Sequence, residues 1–280
     1  GAGFGNKMEA HVQPIVVKLA LKTERPVKLI LTREEDFEMI RARHPARIRC
    51  KTGARKDGVL LAREVEVLMD GGAYADDSPG VLGISILFSR GPYRIPNVRS
   101  SGRVVYTNHL RFAAFRGFGN PQINFATEAQ IDEIAQKLDL DPIEVRLKNA
   151  MDTGDTWFGG QVVESNGLKE CITKVREASN WVKKSERKGR NRKGKQRGLG
   201  ISIAGHISGI LGTGAIVKLL EDGTVILNTG ATDIGQGSNT VLSQICAETL
   251  QVPLQNISLA SPDTDGSPFN WGTTASRVTY

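Results

Sequence analysis

Ala114-Phe115-Arg116-Gly117-Phe118-Gly119-Asn120-Pro121-Gln122 sets small residues around two rings and one cation, and runs straight into a helical pattern. Glycine lets a backbone reach positive φ and approach a ligand closely. Pro121 suits a first helical turn, and Ile123, Ala126, Ile131, Ile134 and Leu138 trace one face of a helix predicted over residues 121–138. A loop ending at a helix N-terminus is a natural seat for phosphate. Taken alone, the stretch has a plain structural reading: Phe118 as a core ring and Arg116 as a buried ion-pair partner.

Three further segments are built alike. Gly1-Ala2-Gly3-Phe4-Gly5-Asn6-Lys7 precedes a helix predicted over Gln13–Thr23. Asp233-Ile234-Gly235-Gln236-Gly237-Ser238-Asn239-Thr240 precedes one over residues 239–250, and the Gln236 amide can both donate and accept. Thr273-Thr274-Ala275-Ser276-Arg277-Val278-Thr279 is small and polar. Four such segments point to a long phosphate-bearing cofactor held by several loops. The first also suggests a dinucleotide fingerprint. It lacks the Gly-x-Gly-x-x-Gly spacing, no strand precedes it, and Glu24 follows a helix, so a nicotinamide-dependent dehydrogenase fits poorly.

Around these loops the pattern alternates. Strands are predicted at 26–32, 103–107 and 198–204, with hairpins at 46–52/59–74 around Lys56-Asp57-Gly58 and at 215–220/225–229 around Glu221-Asp222-Gly223. Residues 81–88 are apolar and ambiguous, 92–97 read as a loop, and 257–260 as a last strand. Asp141-Pro142 begins a helix through Asn149, and another is predicted over 168–179. The class is α+β. No sequence repeat of 20–50 residues stands out.

The net charge of +7 belongs to one place: residues 183–197 hold nine Lys/Arg and one Glu, so the run carries +8 and the rest of the chain −1. That division predicts a lobe at 1–182, a basic linker at 183–197 and a second lobe at 198–280. The run can also be read as a nucleic-acid-binding element. It has no interleaved aromatic, and a solvated linker accounts for it; no nucleic-acid partner is expected. No apolar run is long enough for a membrane span. Cys50, Cys171 and Cys246 are odd in number and widely spaced, which fits a reducing cytoplasm and offers no Cys-x-x-Cys for an iron–sulfur cluster.

In order and spacing the four segments resemble those of the xanthine dehydrogenase/aldehyde oxidase family, in its large, molybdenum-cofactor-binding subunit. Residues 114–122 are similar to one family segment almost throughout, and residues 1–7 resemble its Gly-Gly-x-Phe-Gly-x-Lys loop. Gly235-Gln236-Gly237 and Thr274-Ala275-Ser276-Arg277 resemble two more. Pro26-Val27-Lys28, Thr32-Arg33-Glu34-Glu35-Asp36 and Asp70-Gly71-Gly72-Ala73-Tyr74 follow the family as well. The resemblance implies an α+β, two-lobed molybdopterin-binding region, here an incomplete, internal part of the subunit.

It further implies a hydroxylase that uses water as its oxygen source and passes electrons to iron–sulfur and FAD centres on partner subunits, in a dimer of heterotrimers. The cofactor would be molybdopterin, in its cytosine dinucleotide form, with molybdenum. Gly3, Phe4, Gly5, Ala114, Phe115, Arg116, Gly235, Gln236, Gly237, Thr274, Ala275 and Ser276 would hold it, with Phe4 and Arg116 beside the metal but not bonded to it. Phe118 would face substrate with an offset ring contact worth about 0.5–1.5 kcal/mol. Apart from the resemblance, His206 stands among glycines ahead of a predicted strand, which reads either as a solvated loop histidine or as a residue at the pocket rim. The family's base is a Glu in a Gly-Val-Gly-Glu segment. No such segment occurs here, Glu9 is not that residue, and the polypeptide is not expected to turn over alone.

Two departures bear on substrate. Purine-oxidising members place a Glu directly after the first segment's Lys, where this chain has Met8. They place an Arg upstream of Tyr93-Arg94-Ile95-Pro96-Asn97, where ungapped counting reaches Ile84. Carbon monoxide dehydrogenases carry a Cys in the loop equivalent to 114–122, which has none here. An aldehyde, N-heterocycle or aryl-CoA substrate is expected before a purine.

Overall fold

The computed structural model describes residues 3–182, 194, 198–209 and 212–279. The basic run at 183–197, apart from Gly194, lies outside the described residues. The chain forms two compact units, Arg41–His206 and a discontinuous one of Gly1–Ile40 with Ile207–Tyr280. These units cut the chain elsewhere than the expected lobes do.

In the Arg41–His206 unit, β1 (Ala46–Ala54) and β2 (Leu60–Gly72) pair antiparallel. Gly58, at φ 86°, closes their turn, and Asp57 Oδ1 accepts from Val59 N at 3.4 Å. Helix α3 (Ser78–Leu87) then carries the chain to β3 (Asn97–Tyr106), which lies parallel to β2. Ser78-Pro79 resolves the ambiguous 81–88 run as helix, with Pro in the first turn. The strand expected at 103–107 is the end of a longer one.

Helices α4 (Asn120–Lys137), α5 (Pro142–Asn149) and α6 (Leu168–Ala178) complete this unit. Asp141 caps α5 through Ile143 N at 2.7 Å. The core gathers Leu60, Tyr93, Ile131, Ile143, Ile172 and Ile203. Burying the Leu and Ile side chains among them is worth about 1.5–3 kcal/mol each. Residues 198–204 are not a strand. Ile203 sinks into the core, and its N–H donates to the Glu128 carboxylate at 2.9 Å, not to a neighbouring strand.

In the other unit, α1 (Gln13–Thr23) is followed by residues 26–32, which take part in no strand among the described residues, where a strand was expected. Thr32 instead caps α2 (Arg33–Met39) in a capping box: Thr32 Oγ1 accepts from Glu35 N at 3.2 Å, and Glu35 Oε2 accepts from Thr32 N at 2.8 Å. β4 (Ala215–Leu219) and β5 (Val225–Thr229) form the second hairpin. Gly223, at φ 81°, closes it, with Asp222 Oδ1 accepting from Thr224 N at 2.9 Å. Helix α7 (Ser238–Leu250) leads to β6 (Ile257–Leu259), parallel to β5.

Each unit therefore holds the same ββαβ order, an antiparallel pair followed by a parallel one. The sequence shows no such repeat, because the hairpin turn chemistry is shared while the side chains on the strands are not. Among the described residues no helix is long and apolar enough to cross a membrane.

Candidate functional site

Backbone conformation marks the loops first. Phe4 (φ 52°), Phe118 (46°), Ala275 (50°) and Ser276 (51°) all sit in the left-handed region. Such positions cost L-residues about 1–3 kcal/mol each and persist only where surroundings impose them. Four of the other non-glycine cases, Glu24, Asp139, Asn180 and Gln251, merely close helices. The remaining four, Asp76 apart, sit in tight turns closed by Asn6 N to the Gly3 carbonyl at 3.0 Å, Asn120 N to the Gly117 carbonyl at 2.9 Å and Arg277 N to the Thr274 carbonyl at 3.2 Å, and all four fall on residues expected to meet a ligand.

In the discontinuous unit three of the four loops converge on Thr232–Gln236. Lys7 Nζ donates to the Ile234 carbonyl at 2.6 Å. Gly3 is buried against the same residue: a Cβ there would stand 2.5 Å from Ile234 Cδ1. The Thr232 carbonyl accepts from Gln236 Nε2 at 3.2 Å and from Thr273 Oγ1 at 2.6 Å. Gln236 Oε1 accepts from Ile234 N at 2.7 Å, so this amide already stiffens its own loop. Ala275 is tied through its carbonyl, which accepts from Gly209 N at 3.2 Å. Arg277 is buried and donates to the Gly212 carbonyl at 2.6 Å, securing the fourth loop from beneath. Phe4 and Met8 remain exposed.

The N-terminus of α7 is not an open phosphate seat. Asp233 accepts from Gly235 N at 2.7 Å and from Asn239 N at 3.4 Å. The Gly235 bond first, and those of the helix's opening amides after it, hold this carboxyl below the usual range. An arriving phosphate would compete with a carboxylate already in place.

In the Arg41–His206 unit the loop of residues 114–122 is pinned on several sides. Ala114 N donates to Asp77 Oδ2 at 3.3 Å, and Arg41 Nη1 donates to the same carboxylate at 3.0 Å. Arg43 stacks 4.6 Å over the Phe115 ring and donates to the Arg116 carbonyl at 2.7 Å and to Gln122 Oε1 at 3.1 Å. The Phe118 ring rests on Gly80 of α3, where a Cβ would be 3.1 Å from Cε1. Ile84 lies one turn further along that helix and is half-buried. Arg41, Arg43 and Asp77 were absent from the candidates read in the sequence, and Asp233, though it opens the third loop, was given no role there. Only the crowding of Arg41-Ala42-Arg43-His44 hinted at the first two.

His206 keeps company with this loop. Asn120 Nδ2 lies 3.0 Å from its Nδ1, and its ring stacks on Phe88 at 5.3 Å and 28°. Partial burial lowers its pKa. Among the described residues no three His, Cys, Asp or Glu side chains cluster as metal ligands.

Each unit thus carries a small-residue loop with left-handed backbone on a ββαβ frame. Residues 1–150 match the Molybdopterin cofactor-binding domain family, and residues 174–280 match a second family of the same description. The chain belongs to the molybdopterin cofactor-binding proteins, in the molybdenum-binding subunit of the xanthine dehydrogenase and aldehyde oxidase family.

Three relatives illustrate the match. A xanthine dehydrogenase molybdenum-binding subunit of Escherichia coli is 36% identical over 293 residues, which is 100% of this chain and 38% of the relative. The nicotinate dehydrogenase large molybdopterin subunit of Eubacterium barkeri is 43% identical over 178 residues, 63% of this chain and 42% of the relative. The structure of the aldehyde oxidoreductase from Desulfovibrio gigas superposes with a TM-score of 0.84 at 34% identity, over 96% of this chain and 30% of that one. The chain thus spans about two fifths of these two curated relatives and a smaller share of others it matches.

The residues present fit a pterin held without covalent bonds. Asn6 Oδ1 is a buried acceptor with no hydrogen-bond partner among the described residues, which suits the N–H groups of a pterin ring. Gly237, at φ 82°, has no atom within 4 Å of where its Cβ would stand, leaving room beside the third loop.

Proposed function

We propose that this chain is the molybdopterin-holding part of a hydroxylase that oxidises an aldehyde, an N-heterocycle or an aryl-CoA, with a purine less suited. The imposed left-handed backbone at Phe4, Phe118, Ala275 and Ser276 is the observation that carries the reading. When bound, the molybdenum cofactor supplies the two-electron oxidation with water as oxygen source.

The chain's own part is placement. Phe4, Gly5 and Gly3 would lie along the cofactor, with Lys7 holding their loop to Ile234. Gly235, Gln236 and Gly237, with Thr274, Ala275 and Ser276, would line its pterin and dinucleotide. Ala114, Phe115 and Arg116 would present their loop near the metal without ligating it. Phe118 would offer its ring face to a flat substrate. Met8 and Ile84 offer no charge to a purine. Electrons would leave to iron–sulfur and FAD partners in the cytoplasm, in a dimer of heterotrimers, and the cytosine dinucleotide form of the cofactor is assigned. With no Gly-Val-Gly-Glu segment in its sequence, this polypeptide by itself is assigned no turnover.

The full-length protein, expressed with its genomic neighbours, is expected to contain molybdenum and pterin. It should oxidise benzaldehyde or nicotinate with a higher kcat/KM than xanthine. Clean preparations without molybdenum or pterin would sink the proposal, and efficient xanthine turnover would sink its substrate half.

A further inference from the structure

Asn120 follows Phe118 by two residues and meets His206 across 86 positions of chain. Its Nδ2 lies 2.7 Å from the Gly205 carbonyl and 3.0 Å from His206 Nδ1. The first contact orients the amide, because a carbonyl oxygen can only accept and so must face the –NH2 group. The second hydrogen of that group then points at Nδ1, which has to accept it. A ring nitrogen that accepts carries no proton, so the proton of the neutral ring sits on Nε2.

Two packing contacts hold this arrangement. The ring stacks on Phe88, which is buried. Gly205 lies so close to the Trp157 indole that a Cβ would be 2.7 Å from it, which sets the backbone leading into His206. Partial burial of the ring also disfavours the charged form. His206 is nonetheless exposed, and Nε2 has no partner among the described residues.

We infer that His206 is a fixed, neutral hydrogen-bond donor, whose Nε2–H binds an acceptor atom of the molecule seated at the loop of residues 114–122. The acceptor is a carbonyl or carboxylate oxygen or a pyridine-type nitrogen. The inference rests on the function proposed above and names the atom type that the substrate or the cofactor must present. The chemistry is the same for either source.

The test uses the full-length protein with its partners. His206→Phe keeps a ring for Phe88 and removes the donor, while His206→Gln restores one. If the acceptor is on substrate, His206→Phe raises KM roughly three- to tenfold at unchanged molybdenum and pterin content, and His206→Gln recovers part of the loss. If it is on the cofactor, His206→Phe lowers molybdenum and pterin content, again with recovery in His206→Gln. No change in either quantity, or equal losses in both variants, overturns the assignment.

A second measurement needs no cofactor, so it survives failure of the functional proposal. Diethylpyrocarbonate attacks the unprotonated ring nitrogen, which Asn120 covers. Peptide mapping is expected to show faster labelling of His206 in Asn120→Ala than in the unaltered protein. Equal labelling rates would overturn the tautomer.

Discussion

Lys7 and Ile234 stand 227 positions apart and are bonded directly, Nζ to carbonyl, at 2.6 Å. The Ile234 side chain also occupies the space beside Gly3. A single residue of the third loop therefore places the first loop from two directions, once through its backbone and once through its Cδ1.

Gly3→Ala is expected to push the first loop away and lower the molybdenum and pterin content of the full-length protein. Ile234→Val removes Cδ1, and the next Ile234 atom is 3.7 Å from the added Cβ. The double variant should therefore recover, with a coupling between the two changes of about 0.5–3 kcal/mol. Additive losses would show that Gly3 is not held by Ile234.

Asp233 predicts a pH dependence of the third loop. Its folded pKa is depressed, first by the bond from Gly235 N. Such a group contributes stability above its unfolded value of about 3.9 and loses it as pH falls through the lower, folded value. The loop is expected to keep its order through neutral and mildly acid pH and to loosen only in strong acid. Asp233→Asn should remove that dependence. Hydrogen exchange at the Gly235 and Asn239 amides, followed by mass spectrometry and corrected for intrinsic rates, checks both.

Glu128 and Arg146 set up a third prediction. Arg146 Nε donates to Glu128 Oε2 at 3.0 Å, with side chains 0% and 5% exposed. Tyr93 Oη donates to the other carboxylate oxygen at 2.5 Å. Glu128→Leu leaves Arg146 short of charge in the core and should cost about 3–5 kcal/mol in urea unfolding. Asp132, which also pairs with Arg146, is 47% exposed. Asp132→Asn should cost about 1 kcal/mol or less. Comparable losses would contradict the burial argument.

Gly119 and Gly83 form the last contrast. Gly119 has φ 92°, and a Cβ would stand 2.2 Å from the Val81 carbonyl, which is helix backbone and cannot yield. Gly119→Ala should disorder the loop of residues 114–122 and abolish cofactor retention. Gly83 sits within α3 with nothing within 4 Å of its Cβ position. Gly83→Ala should stabilise by about 0.5–1 kcal/mol. Thermal unfolding and metal analysis of the two variants decide it.

The sequence was sufficient wherever a few adjacent residues settle a conformation. Asp141-Pro142 started α5, Asp57-Gly58 and Asp222-Gly223 closed hairpins, and the order of four small-residue loops marked the family. Thr32-Arg33-Glu34-Glu35 also spells a capping box in plain local chemistry, although the β-rich appearance of residues 26–32 masks it. Elsewhere the deciding partner lay far along the chain. Residues 198–204 have strand-like side chains, but the Ile203 N–H goes to Glu128, 75 positions away. The Lys7–Ile234 bond and the Asn120–His206 contact arise only when separate segments are packed together. Local propensity acts over a few residues. Where a buried N–H, a carboxylate or an imidazole finds its partner is decided by tertiary packing, and in this chain that decision shapes the loops proposed to hold the cofactor.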